Sequence, residues 1–379
     1  MEIVLAPDSF KGSLSAVKAV ESLAQGLNKV NLDIEITKLP MADGGEGTVE
    51  SLVDATGGRI VEKEVLDPLR NSITAQFGIL GDGSTAVIEM AAASGLPLVP
   101  EEKRDPTKTT TYGTGQLIAA ALDHGCRELI IGIGGSATND CGIGMAQALG
   151  AEFLDDSGTN VGFGGSELAT IEKIDLSNLD ERIQKCNIEV ACDVDNPLYG
   201  KDGAAYVYAP QKGADQVAVE RLDQGLRKFA VVIEEQLVKD VAEIPGAGAA
   251  GGLGAGLISF LEAELKPGVE IVIDAIDLAE KVAGADLVIT GEGMIDRQTV
   301  FGKTPIGVAK TAKQYDVPVI AVAGSLGAGA IEVYDGGIDV LFSMLDKPME
   351  LEEAQANADE LLEKWAENLG RMIKIAKEL

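Results

Sequence analysis

Six short stretches of the 379-residue chain gather Asp, Glu, Lys, Ser or Thr, and in five of them glycine stands among these residues. They are PDSFKGS (7–13), ADGGEGT (42–48), GGSATND (134–140), CDVDNP (192–197), PQKGA (210–214) and TGEGMID (290–296). Phosphoryl transfer needs few groups. It takes donors around the phosphates, Mg2+ on one or two carboxylates, a cation on the transferred group, and a carboxylate near the attacking hydroxyl. Lys11, Lys212 and Lys303 could supply the cations; Asp43, Asp140, Asp193, Glu292 and Asp296 could supply the carboxylates. Any one of these alone reads as a helix cap or a solvated charge. Their accumulation beside glycines at the ends of predicted strands points instead to an active site built from several loops. The one histidine, His124, precedes Gly125 in a helix C-cap pattern. It rules out a multi-histidine metal site, and a Ser-His-Asp triad would have to use it. Acid–base work therefore falls mainly to Asp, Glu or Lys.

The stretch 129–145, LIIGIGGSATNDCGIGM, organises the rest. Leu129 to Ile133 is apolar and β-branched, as in a buried parallel strand. It breaks at Gly134, Gly135, Ser136, Ala137 and Thr138; Asn139 and Asp140 stand where a helix running from Ile143 to Leu149 would be capped. A strand, a glycine turn and a helix N-terminus make a site for a phosphate or carboxylate. The plainer reading is a tight strand-to-helix turn without a ligand.

Two dinucleotide-type matches occur. Residues 132–137 fit G-x-G-x-x-A after a strand, with Asp155 and Asp156 near the expected distance, so a NAD-dependent oxidoreductase acting on a small hydroxy acid stays open. Residues 246–251 fit G-x-G-x-x-G, but Pro245 and no strand precede them. Gly302-Lys303-Thr304 has the tail of a P-loop, but Arg297 occupies the position of its first glycine.

Hydrophobic residues make up 46% and charged residues 24%, a globular balance. Lys+Arg 31 against Asp+Glu 61 gives a net charge of −30, which argues against nucleic acid and anionic membranes as partners. A small anionic substrate is still allowed, since local cations and amides override the global field at short range. The start, MEIVLAPDSF, does not read as a signal peptide, and no run reaches the length of a membrane span. Cys126, Cys141, Cys186 and Cys192 lack disulfide spacing and read as reduced cytoplasmic thiols. Cys141 sits where a thiolate would be favoured, but packing is its plainer role.

The elements that must position these residues are read as strands at 2–7, 33–39, 60–65, 73–80, 85–90, 129–133, 188–193, 285–290, 318–323 and 339–344. Helices are expected to end near Leu27, Ala55 and Leu265, and to cover 114–123, 217–239, 303–315 and 351–377. The ends of the chain follow the grammar of a parallel α/β sheet; the middle looks mixed, with strand 129–133 free to join either sheet.

Several stretches resemble the bacterial glycerate kinase family, the type that includes glycerate 2-kinases. They are APDSFKGSLSA (6–16), PMADGGEGT (40–48), YGTG (112–115), GIGGSATNDCGIGM (132–145), ACDVDNPL (191–198), GKDGAA (200–205), PQKGA (210–214), GAGAAGGLG (246–254) and ADLVITGEGMIDRQTVFGKTP (285–305). They run nearly the full length, in order. One departure is Cys141, where a glycine is expected.

The resemblance implies ATP-dependent phosphorylation of D-glycerate at O2, to 2-phosphoglycerate, with Mg2+, in a cleft between two α/β domains. One would be a flavodoxin-like parallel sheet from both chain ends (1–66 and 284–379), the other an inserted mixed α/β domain (67–283). It leaves a homodimer open. Under it, Asp193 and Lys11 are the catalytic candidates, Asp193 because it ends a strand before a polar loop. Ser9, Asp43, Gly44, Gly45, Glu46 and Asn196 would bind glycerate. Gly134, Gly135, Ser136, Thr138, Asn139, Lys212 and Lys303 would hold the nucleotide phosphates, and Asp140, Glu292 and Asp296 the metal.

Overall fold

The computed structural model describes residues 1–378. They form two compact units. The first comprises Met1–Asp43, Glu50–Gly57 and the chain from Val269 onward; the second comprises Gly44–Val49 and Gly58–Gly268.

The strands in chain order are β1 (Glu2–Pro7), β2 (Glu35–Lys38), β3 (Arg59–Leu66), β4 (Ser72–Ile79), β5 (Thr85–Glu89), β6 (Glu128–Gly132), β7 (Glu152–Leu154), β8 (Lys173–Asp175), β9 (Asn187–Ala191), β10 (Glu264–Lys266), β11 (Leu287–Ile295), β12 (Val319–Leu326) and β13 (Val340–Ser343). The first unit holds a five-stranded, all-parallel sheet of order β13-β12-β11-β1-β2. Renumbered within the sheet this is 2-1-3-4-5, the flavodoxin-like order. Its switch point lies between β1 and β11, and ligands gather outside the carboxyl ends of the strands there.

The sequence of β1, EIVLAP, is apolar without alternation because both faces are covered: Ile3, Val4, Leu5 and Ala6 are wholly buried. Helix Ala16–Asn28 is capped by Ser15, whose hydroxyl accepts the Lys18 N–H, and it buries Ala19, Val20, Leu23 and Leu27. This face packs with Leu361, Leu362, Ala366 and Leu369 of helix Ala358–Glu378. The two helices approach so closely that a Cβ on Gly26 would lie 2.1 Å from the Glu363 carbonyl oxygen.

The second unit holds a six-stranded mixed sheet, β10-β9-β6-β5-β4-β3. The strands β3, β4 and β5 pair antiparallel; β5, β6, β9 and β10 pair parallel. A two-stranded β7-β8 hairpin stands apart. Phe153, Phe229 and Phe260 meet with centroids 5.3–6.2 Å apart inside its core.

Several expected elements change. The strand expected at 285–290 runs on to Ile295, so Gly291, Glu292 and Gly293 lie in β11 and not in a loop after it. Gly291 is needed there: a Cβ on it would meet the Val322 carbonyl oxygen at 2.1 Å. The helix expected over 351–377 breaks at Asn357 into Leu351–Ala356 and Ala358–Glu378. PQKGA follows the helix Ala204–Tyr208 and not a strand. The short strands β7, β8 and β10 and the helix Gly268–Ala275 carry too little pattern to be read from the sequence.

Candidate functional site

At the switch point of the first unit, β1 ends at Pro7 and the Asp8 N–H donates to the Gly291 carbonyl oxygen over 2.8 Å. The Asp8 side chain is buried. Its Oδ1 accepts the Ser9 N–H at 2.6 Å and its Oδ2 accepts the Thr304 hydroxyl at 2.6 Å. Burial, then the charge of Asp43, push this carboxyl up to about 6, against the opposing pull of Thr304, Ser9 and Lys11. Lys11 Nζ lies 3.1 Å from Asp43 Oδ2 at the surface.

On the neighbouring strand β11, Glu292 is largely buried, which raises its carboxyl above the usual range. Its Oε1 accepts the Thr299 hydroxyl at 2.7 Å, and its Oε2 lies 3.5 Å from Lys303 Nζ. Both contacts favour the ionised form. Asp296 caps the short turn Arg297–Phe301: its Oδ1 accepts the Gln298 N–H at 2.8 Å, and its own N–H donates to the Thr299 hydroxyl oxygen at 3.2 Å. Thr299 thereby joins Asp296 to Glu292. The first unit thus collects Lys11, Asp43, Glu292, Asp296 and Lys303 of the expected residues, with Ser9 beside them. Glu292 and Asp296 offer the hard oxygen atoms that Mg2+ prefers. Among the described residues no cluster of three or more Asp, Glu, His or Cys is arranged to hold a metal. Mg2+ on a nucleotide does not require one, because water and phosphate fill most of its shell.

In the second unit the expected turn follows β6. Gly132 closes that strand, and a Cβ there would lie 2.4 Å from the Gly44 carbonyl oxygen. Gly44 itself has φ +85°, and a Cβ on it would lie 2.3 Å from Ala191 Cβ at the end of β9. These two glycines let segment 44–47 lie across the carboxyl ends of β6 and β9. Gly45 is next to Gly134, and Glu46 is exposed. Gly134 and Gly135 have exposed backbone, Gly135 at φ +74°, whereas Ser136, Thr138, Asn139 and Asp140 are buried.

The expected cap fails in detail. The helix Ile143–Ala148 is only six residues long and starts after Gly142, which is left-handed at φ 73°. Asp140 turns inward: its Oδ2 accepts the Thr111 N–H at 2.8 Å and the Thr111 hydroxyl at 3.0 Å, and its Oδ1 accepts the Gly142 N–H at 3.2 Å. The acceptor oxygens expected of a ligand at this helix start are therefore supplied by the chain itself. Full burial raises the Asp140 carboxyl despite these bonds. Lys212 is also sealed in, donating to Ser136 Oγ at 2.6 Å and to the Thr138 carbonyl oxygen at 2.7 Å. Burial lowers its ammonium to about 7, with Asp140 opposing. Cys141 is wholly buried, and burial raises its thiol, so it is a packing residue and not a reactive one.

Asp193 lies two residues beyond β9, exposed, with Oδ1 accepting the Gly268 N–H at 2.9 Å. Asn196 donates to the Asp202 carbonyl oxygen at 2.7 Å and accepts the Tyr208 hydroxyl at 2.5 Å. Two further carboxylates join these sets. One is Asp8, inside a stretch noted for Ser9 and Lys11. The other is Glu89 at the end of β5, whose Oε1 accepts the Val49 N–H at 2.9 Å; burial raises its carboxyl, the amides of 47–49 opposing. No motif marks Glu89.

The dinucleotide alternative loses its geometry. Asp155 and Asp156 follow β7, which belongs to the separate two-stranded sheet with β8, whereas the ribose-binding acid of that motif ends a strand beside the first. At 246–251 the chain enters helix Ala249–Leu261 through three left-handed residues, Ala250, Gly251 and Gly252.

The model of the Glycerate kinase family matches residues 3–374. A glycerate kinase of Bacillus subtilis is 55% identical over 379 residues, covering 100% of this chain and 99% of its own. A glycerate kinase of Halalkalibacterium halodurans is 56% identical over 367 residues, covering 97% of each. A glycerate 2-kinase of Escherichia coli K12 is 50% identical over 375 residues, covering 99% of this chain and 98% of its own. A solved structure from Salmonella typhimurium LT2, assigned as a glycerate kinase 2, superposes with TM-score 0.92 at 52% identity over 100% of both chains. With the parallel sheet from both chain ends and the mixed sheet between them, these matches agree: the chain belongs to the glycerate kinase family.

Proposed function

We propose that this protein transfers the γ-phosphoryl group of ATP to O2 of D-glycerate. A bond forms between the glycerate oxygen and Pγ, the bond from Pγ to the bridging oxygen breaks, ADP leaves, and the hydroxyl proton passes to a carboxylate. The observation that carries this reading is the family match over residues 3–374, which spans every loop described above. The E. coli relative named glycerate 2-kinase supports O2 as the acceptor.

In this reading Asp193, exposed beyond β9, takes the hydroxyl proton, and Asn196 and segment 44–46 bind glycerate. The exposed backbone of Gly134 and Gly135 receives phosphate oxygens. Lys11, held by Asp43, and Lys303, held by Glu292, are the cations for anionic oxygens. Glu292 and Asp296 fit a Mg2+ that would shield phosphate charge. Asp140 fits it poorly, since its oxygens are committed to Thr111 and Gly142. All four cysteines are free, which supports a reducing cytoplasm. No described helix is long and apolar enough to cross a membrane.

The test is ADP release in mixtures lacking one component at a time. ADP is expected only when enzyme, ATP, Mg2+ and D-glycerate are all present. Release independent of glycerate, or nicotinamide-dependent oxidation of glycerate, would overturn the reading.

A further inference from the structure

Lys212 is the largest charged side chain wholly inside the protein. It ends the turn Pro210–Lys212, and Gly213 follows at φ +97°, where a Cβ would lie 2.2 Å from the Arg104 carbonyl oxygen. Two of the lysine's three N–H groups are spent on the 134–140 turn: one on Ser136 Oγ and one on the Thr138 carbonyl oxygen. Both bonds are short, and both reach across more than 70 residues of sequence. The acidic group facing it is Asp140, itself fastened to Thr111 and Gly142. Gly134 and Gly135 are exposed, while everything from Ser136 to Asp140 is buried over this lysine.

We propose that Lys212 is a positioning residue: it clamps the glycine turn from beneath and so fixes the exposed Gly134–Gly135 backbone for the nucleotide phosphates, without touching them. The inference rests on the reading of this turn as the phosphate-holding segment. A lysine that contacted phosphate would have to leave Ser136 and Thr138 and cross the buried layer above it. Ser136 then serves as the partner that keeps the ammonium in place, not as a phosphate ligand.

The test pairs amide hydrogen exchange in the ligand-free protein with steady-state kinetics on Lys212→Met and Ser136→Ala. In the positioning role, Lys212→Met speeds exchange of the 136–141 amides about tenfold or more, while the strands of the first unit keep wild-type protection. It raises the KM for ATP several-fold and leaves the KM for D-glycerate within about twofold. Ser136→Ala shifts both readouts in the same direction by less. Unchanged exchange together with a large rise in the ATP KM would make Lys212 a direct phosphate ligand and overturn the proposal. Unchanged values in both readouts would also overturn it. If Lys212→Met does not fold, Ser136→Ala alone decides, because it removes one clamp bond and keeps the lysine. The exchange arm needs no activity, so a wild-type protein without glycerate-dependent ADP release would fail the functional reading and leave the clamp still testable.

Discussion

Asp8 and Thr304 lie 296 positions apart in sequence, yet the Thr304 hydroxyl donates to Asp8 Oδ2 over 2.6 Å. The bond joins the end of β1 to the first turn of helix Thr304–Lys313. It also holds the helix start from which Lys303 reaches Glu292. Replacing the hydroxyl by a methyl group leaves a buried carboxyl one donor short, which costs about 1–3 kcal/mol. Thr304→Val is therefore expected to lower the urea midpoint of the protein and Thr304→Ser to keep it. Equal midpoints for Val and wild type would show the bond to be idle.

The same carboxyl leaves a mark on pH dependence. Burial pushes the Asp8 carboxyl up to about 6 in the folded protein, against 3.8 for an ordinary aspartate. Between these values the folded state binds the extra proton, so this group's contribution to stability falls as pH rises from about 4 to 6 and is level above that. The full drop is at most about 3 kcal/mol. The difference in unfolding free energy between wild type and Asp8→Asn should change across that window and stay constant from pH 7 to 8. Parallel profiles from pH 4 to 8 would contradict the assigned direction.

Gly44 combines a left-handed backbone with contact against Ala191. Gly44→Ala is expected to cost more than about 2 kcal/mol, through strain and overpacking together. The double variant Gly44→Ala/Ala191→Gly removes the 2.3 Å encounter but not the strain, so it should recover only part of the loss. Full recovery would mean that backbone conformation is irrelevant here.

Asp193 tests the base assignment. Asp193→Asn keeps an oxygen for the Gly268 N–H but cannot take a proton. Turnover should fall by about 100-fold or more with the thermal midpoint little changed. A variant retaining a tenth of wild-type turnover would remove Asp193 from that role.

Much of the first unit is legible in the sequence because β1, β11 and β12 are buried on both faces and stand out as apolar runs. The turn at 134–140 is legible because glycine follows such a run. What the sequence hides is direction. Asp140 and Lys212 appear beside glycines like any loop charge, and only tertiary packing turns them inward. Asp8 acquires its character from burial, then from Asp43 and Thr304, partners that no local pattern reveals. Glu89 is a single acid at a strand end, without a motif. Glycines within β11 mimic a loop because Gly291 makes room for the backbone of β12. The helix Ile143–Ala148 is too short to act as the anion-binding end that its glycine turn suggests.

The most direct measurement is phosphorus NMR of the product formed from Mg-ATP and D-glycerate. Transfer to O2 gives a phosphomonoester resonance coupled to the single proton on C2, growing in step with ADP. A resonance coupled to the two protons on C3 would contradict transfer to O2, and no new phosphomonoester would contradict glycerate as the acceptor.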